Sequence, residues 1–369
     1  MNDTGSTLII HDPQTVPTYP DGPIARWCQK ALYEPRDEVF VRLTLRAIAT
    51  QLAAMVALWA ALRFSDLPWG IPAVLYLALW GWGAPPIILM LHCTMHRSFI
   101  RSPKWLDKAH PFVMPVFFGM PMGFREHHIG MHHVEDNMEE DLSSTLRYRR
   151  DSFLHFLHYF GRFFFLVAFE LPAYLRRKRR FALARRAALG EIAQWTLVLA
   201  AFALFDWRFA LTAFLLPLIL CRVSMMAGNW GQHAFINTSL KNGGVANAIT
   251  CINTTYNKRC FNDGYHIGHH VKAKRHWAEL PADFLASRDL YAKQGAIVFE
   301  GIDFFMVSVL LWLGRWDVLA KRYVRLGEPM RDDEVVAMLK ARVQPVRSWP
   351  AEESLARLDQ RRGVDAIAP

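Results

Sequence analysis

This sequence predicts an all-α integral membrane protein: two transmembrane helical hairpins (four spans) with interfacial helices and a cytoplasmic, histidine-rich metal-binding cap. Three observations carry that expectation. Hydrophobic residues make up 52% of the 369 positions and charged residues 21%, below the roughly 25% charged residues of an ordinary soluble chain. The apolar residues fall in blocks long enough to cross a bilayer. Eight of the 15 histidines gather in three tight clusters.

A span needs roughly 17–25 predominantly apolar residues. The first covers about 43–63, where the uncharged stretch from Ala47 to Leu62 is flanked by Arg46 and Arg63. The second, Leu67 to Leu91, carries no charge. The third covers about 188–205, and the fourth runs from Phe209 toward Trp230, interrupted by Arg222. Short links, Arg63 to Pro68 and Asp206 to Arg208, make each pair a hairpin. Between the hairpins lies a polar, histidine-rich region ending in Arg176 to Arg180, Arg185 and Arg186. The positive-inside tendency puts this basic run, and with it both termini and the metal site, in the cytoplasm. If the source is bacterial, the membrane is the cytoplasmic one. Phe153 to Leu175 is also long enough to cross but contains Arg162, Glu170 and two histidines. Crossing there would part the second histidine cluster from the basic run, so it reads as an interfacial or re-entrant helix. Ile297 to Leu313, with Glu300 and Asp303, takes the same reading.

Three regions follow. Residues 1–39, with Pro13, Pro17, Pro20 and Pro23, form an extended arm with no apolar run of signal-peptide length. Residues 40–314 form the membrane domain. Residues 315–369 form a charged cytoplasmic tail, in which windows such as Asp332 to Arg342 look like exposed or capping helices. The net charge of +10 sits beside apolar segments, which fits anionic lipid headgroups better than nucleic acid, for which no motif appears. Five scattered cysteines without a CxxC pair argue against a disulfide framework or a thiolate zinc site and fit a reducing compartment.

The clusters are His92-x3-His96 after the second span, His128-x3-His132-His133 preceded by His127, and His266-x2-His269-His270. Spacing of i, i+4 puts two imidazoles on one helix face, within reach of one metal ion. His127 could stand in for His128; His128 gives the fuller pattern. His155 and His158 read as structural, and His11, His110 and His276 have no partner at ligand spacing. Ligating histidines pass their second N–H to a carboxylate or carbonyl; Asp136 and Asp263 are the acids best placed to receive it. No Glu-x-x-His pairing marks a carboxylate-bridged bundle, so the site is rich in imidazole.

These three boxes, in this order and with the second hairpin between the last two, resemble the membrane fatty acid desaturase–hydroxylase superfamily over roughly residues 40–290. The resemblance implies two non-haem iron ions held mainly by imidazoles. It also implies dioxygen as cosubstrate and an external electron donor of the ferredoxin, rubredoxin or cytochrome b5 type. The substrate it implies is a fatty acyl or fatty acid chain drawn from membrane lipid surroundings. By the same resemblance His233 completes the ligand set, with Asn229, four residues earlier, acting through water; a helix cap is the plainer reading of Asn229. Arg222 lies within about 20° of the same helical face and about 10 Å along the helix from Asn229. A charge at that depth faces the protein interior. It either pairs with an acid such as Glu170 or meets the polar end of the substrate.

Relatives with these spacings mostly desaturate acyl chains, which makes fatty acid desaturation the leading expectation. Oxidative decarboxylation of a medium-chain free fatty acid to a 1-alkene comes next, then hydroxylation or ketolation. Gly268 in the third box departs from many relatives and loosens any transfer of one subgroup's specificity. A non-catalytic membrane metal binder or transporter would place ligands at mid-span, whereas these histidines gather at span ends.

Overall fold

The computed structural model describes residues 8–240 and 243–347; residues 1–7 of the arm and 348–369 of the tail lie outside the described residues. Helix α1 (Pro23–Ala31) opens on a proline, whose missing N–H costs nothing in a first turn. Helices α2 (Glu38–Phe64) and α3 (Gly70–His96) pack as a hairpin, and inside it Gln51 Nε2 donates to Tyr76 Oη at 2.5 Å. Their outer faces leave Val56, Val74, Leu75 and Trp82 exposed, as lipid contact requires. Helix α4 (Lys104–Phe118) stops at Gly119, whose φ of 71° lies in the left-handed region. A Cβ there would come within 2.5 Å of the Pro217 and Leu218 backbone, so only glycine fits this crossing.

The second box follows on α5 (Phe124–His127), a π-helical turn (His128–His132) and α6 (His133–Glu135). Then come α7 (Phe153–Arg177), α8 (Phe181–Leu204), the short α9 (Trp207–Ala210), a second π turn (Leu211–Leu215) and α10 (Leu216–Gln232). Five helical runs are long and apolar enough to cross a membrane: Pro35–Phe64, Gly70–His96, Phe153–Arg177, Phe181–Leu204 and Trp207–Gln232. Four of these overlap the expected spans, and the fifth is α7.

Helix α7 is unbroken, not a segment that turns back on itself. Its two charges neutralise each other, Arg162 meeting Glu170 at 2.6 Å. Both of its ends adjoin the histidine-bearing segment. Near the start Tyr159 donates to the Ser143 carbonyl. At the end Arg177, and just past it Lys178, reach Glu140, and Arg180 donates to the Gly130 carbonyl.

The remaining chain folds over the histidine-bearing ends of α3 and α10. It comprises α11 (Gly244–Asn247), β1 (Ile249–Ile252), α12 (Thr255–Arg259), α13 (His266–Val271), α14 (Leu280–Ala286), α15 (Arg288–Lys293), β2 (Ile297–Glu300), α16 (Phe304–Trp312), α17 (Trp316–Arg322) and α18 (Asp332–Arg342). Strands β1 and β2 pair in parallel, Ile249 opposite Ile297 through Ile252 opposite Glu300. The expected single helix over Ile297–Leu313 is therefore corrected, and the all-α expectation gains a two-stranded sheet. The β-branched and aromatic run Ile297-Val298-Phe299 finds a buried strand to pair with. A turn at Gly301 follows, and Asp303 caps α16 by accepting from the Met306 N–H at 3.0 Å. Helix α16 lies against α10 so closely that a Cβ on Gly231 would sit 2.3 Å from the Phe304 carbonyl oxygen.

Two buried charges tie the chain termini to this cap. Arg150 is fully buried and donates to six carbonyls: Ala234, Thr145, Leu146, Tyr148, Arg342 and Gln344. The last two belong to the C-terminal segment, where Val335, Leu339 and Val343 are also buried. At the other terminus Asp12 accepts from Asn253 N–H at 2.6 Å, Thr254 N–H at 3.2 Å, Asn257 Nδ2 at 2.9 Å and Tyr265 Oη at 2.8 Å. Tyr265 immediately precedes the third box, so the arm braces that box from outside. Asp12→Ala is expected to cost about 2–3 kcal/mol, because four buried donors lose a charged acceptor. Thermal unfolding of the detergent-solubilised protein checks this, and a change within the error of the measurement would remove the bracing role.

Candidate metal centre

The three boxes and His233 converge from four separate places. His92 and His96 occupy the last two turns of α3, one above the other. The π turn then changes the register of the second box. His128 and His133, five apart, point to one place, while His132 points to another. On α13, His266 and His270 share one face and His269 the other. The result is two groups: His92, His96, His128, His133 and His269 in one, and His132, His233, His266 and His270 in the other. Within each group the candidate ligand atoms all lie within 4.8 Å of one another.

In the first group the Nε2–Nε2 separations are 3.0 Å for His92–His269, His96–His128 and His133–His128, and 3.1 Å for His269–His133. In the second, His270–His266 is 3.0 Å and His266–His233 is 3.4 Å. At four of the nine rings the other nitrogen faces an acceptor that can take its proton. The Asp263 carboxylate lies 3.3 Å from His92 Nδ1, Asp141 lies 2.7 Å from His132 Nδ1, and Asp136 lies 2.9 Å from His270 Nδ1. The Asn247 carbonyl lies 2.7 Å from His233 Nδ1. An N–H on Nδ1 leaves Nε2 with its lone pair, so these four rings turn a lone pair toward their groups. An octahedral ion with metal–nitrogen bonds of about 2.1 Å holds adjacent donors about 3.0 Å apart. The donor set therefore fits a first-row transition metal in each group.

The electrostatics agree. Burial, followed by the neighbouring imidazoles, pushes His128, His133, His266 and His269 well below the usual histidine range. Burial takes His233 down to about 3. These rings are neutral at physiological pH, as metal ligation demands. His132 is the exception: burial pulls it down, but the charge and hydrogen bond of Asp141 outweigh that and its shift is upward.

All nine expected histidines are brought together, and both expected carboxylates lie beside a box histidine. Asn229 Nδ2 donates to the Ser143 carbonyl at 2.9 Å and to Tyr159 Oη at 2.7 Å, and the residue lines the adjoining cavity. His127 stands outside both groups, its ring parallel to that of His132 at 6.3 Å. Arg222 pairs with Glu191 through two bonds of 2.8 and 2.9 Å, which corrects Glu170 as its partner. Glu170 is already held by Arg162 along its own helix. His155 accepts from the Arg149 N–H at 2.9 Å, away from the metal groups. Sequence reasoning did not single out Asp141 from the neighbouring acids and missed the Asn247 carbonyl. Asp141 returns to His132 only because the turn through Asp136 and Asn137 takes two left-handed residues, a conformation Asp and Asn tolerate.

A cavity of about 570 Å³ adjoins both groups, with His92, His128, His132 and His266 in its wall. The rest of the lining is mainly apolar, from α3, α7 and α10, and includes the Arg222–Glu191 pair. The family profile described as Fatty acid desaturase matches residues 68–301, a stretch that contains all nine histidines. This chain belongs to the fatty acid desaturase family. No curated protein matches it. Membership makes this desaturase-family chain an oxidoreductase of fatty acyl substrates in a lipid setting.

Asp141→Asn is expected to weaken metal binding about 10- to 100-fold, since a neutral amide no longer fixes the His132 ring and its tautomer. Titration of the metal-free protein with ferrous iron under anaerobic conditions reads this directly. Equal affinity in variant and wild type would deny Asp141 that role.

Proposed function

We propose that this chain is a membrane-bound, oxygen-dependent di-iron oxidase that attacks unactivated C–H bonds of a fatty acyl chain, and that its reaction is desaturation. The observation that carries the reading is the pair of imidazole groups whose Nε2 atoms converge at about 3 Å beside an apolar cavity. Two iron ions in these groups would supply the oxidising power, drawing on dioxygen and two electrons from an external donor. The protein's own part is orientation and exclusion of water. His92, His132, His233 and His270 are fixed in rotation and tautomer by Asp263, Asp141, the Asn247 carbonyl and Asp136. The apolar cavity wall aligns the alkyl chain past His92, His128, His132 and His266. Asn229 faces the same cavity and could hold a water beside the second group.

The cap and both termini would lie on the cytoplasmic side, with the basic run Arg176–Arg180 at the headgroups and α7 lying along the interface. A second, small opening lined by His96, His269, Arg97 and Arg275 brings the five-histidine group near the surface. There a ferredoxin-, rubredoxin- or cytochrome b5-type donor would deliver electrons.

Lipid and headspace mass spectrometry of cells expressing the protein, against a His269→Ala control, tests the reaction. An internal double bond absent from the control is expected. A hydroxylated chain or a volatile 1-alkene would replace desaturation by the corresponding alternative outcome, and no change in either fraction would count against an acyl oxidase altogether.

A further inference from the structure

The cavity wall is apolar along most of its length, yet two guanidinium groups reach it. Building on the acyl-oxidase reading, we propose that Arg259 is the anion anchor of this cavity and that it holds the carboxylate of an unesterified fatty acid.

Arg222 is not available for that role. Both Glu191 oxygens accept from its Nη2, and the buried pair is neutral as a whole. Arg259, in the last turn of α12, is arranged differently. Its guanidinium carbon sits 3.7 Å from the centre of the Trp82 ring, and one Nη donates to the Trp82 carbonyl at 2.6 Å. Among the described residues no carboxylate forms an ion pair with it. Besides Glu191, which Arg222 holds, the two other acids in the cavity wall are engaged elsewhere. Asp263 takes Tyr256 Oη at 2.9 Å and faces His92 Nδ1, while Asp303 caps α16. A guanidinium carries five N–H donors in a planar fork, so Arg259 retains donors for a second, bidentate acceptor. Stacking on Trp82 fixes the plane of that fork in advance.

The location selects the ligand. Trp82 belongs to the exposed face of α3, and a half-buried cation on the cavity wall with no acid paired to it draws an anion. From Trp82 the helix rises roughly 15 Å to His92. Gly81, Ala84, Pro85 and Ile88 line the cavity over that length. A fatty acid held by its head at Arg259 can therefore lay its alkyl chain along α3 toward the metal histidines. A carboxylate needs only the guanidinium fork and carries no bulky head group past the rim.

The test uses the full metal-loaded chain in lipid nanodiscs, kept anaerobic and without reductant so that no turnover occurs. Equilibrium binding of radiolabelled dodecanoic acid is measured for wild type, Arg259→Gln and Arg259→Lys, with iron content measured alongside. Arg259→Gln is expected to weaken binding of the acid roughly 10- to 100-fold at unchanged iron content, the effect of losing a charge-assisted pair, with Arg259→Lys in between. In the wild type, methyl dodecanoate and dodecanoyl-coenzyme A should compete at least about tenfold less well than the free acid. Equal binding of the acid by wild type and Arg259→Gln overturns the proposal. So does equal competition by the ester or better competition by the thioester, which is read on wild type alone should the variants fail to fold. Tight, Arg259-dependent binding of the acid without any later oxygen consumption would retain the anchor and refute the oxidase reading instead.

Discussion

Arg150→Met is expected to cost on the order of 3–5 kcal/mol, or to yield no folded protein, which makes it the most damaging single change outside the histidines. The guanidinium is fully buried and satisfied by six carbonyls, with no carboxylate in the arrangement. Burial pulls its pKa down to about 9, so it is still charged at neutral pH. Its acceptors come from three separate places: the loop after the second box, the residue following His233, and the end of α18. Removing it leaves the Ala234, Tyr148 and Gln344 carbonyls without a donor, takes the second donor from the other three, and loosens the backbone that carries His233. Arg150→Lys keeps the charge but offers fewer donors without the fork and should recover only part of the loss. Thermal unfolding and iron content of the two variants check this. A stable, iron-replete Arg150→Met protein would show that the clamp is dispensable.

His269→Ala should separate the two metal groups. Its Nε2 lies 3.0 Å from that of His92 and 3.1 Å from that of His133, all in the five-histidine group. Its neighbours in the same box, His266 and His270, belong to the other group. The substitution is expected to bring bound iron down from two ions to about one, since only one of the two donor sets loses a member. Oxidation of acyl chains should disappear. His233→Ala is the mirror experiment, removing a donor from the four-histidine group only. Metal analysis of both purified variants reads the outcome. Full retention of two ions by either variant would remove that histidine from the ligand set.

Much of this centre is legible in the sequence because ligand spacing is local. His92-x3-His96 and His266-x2-His269-His270 lie within two helical turns, so helix geometry alone brings the rings together. Which ring serves which group is not legible in the same way. The π turn over His128–His132 shifts His133 onto the side of His128 and sends His132 to the other group, and no residue pattern announces such a turn. The long-range supports were hidden for a different reason. Asp12 reaches Tyr265, Arg150 reaches Gln344, and β1 meets β2 only after the chain has folded over the helix ends. The depth of Arg222 could be read from the helical rise, but its partner could not. Glu170 is held by Arg162 on its own helix, and Glu191 of α8 is the acid that faces Arg222. The apolar blocks gave the positions of the long helices reliably. Whether α7 crosses or lies along the interface is not legible in its composition, which is long and apolar enough for a crossing yet holds the Arg162–Glu170 pair.

Two metal ions, one in each imidazole group, are the core of the proposed oxidase. Iron and zinc counted per chain in the purified wild-type protein, after anaerobic reconstitution with ferrous iron and removal of excess, tests it most directly. The expected result is two iron ions per chain with zinc at background. One iron ion, none, or a preference for zinc would contradict it.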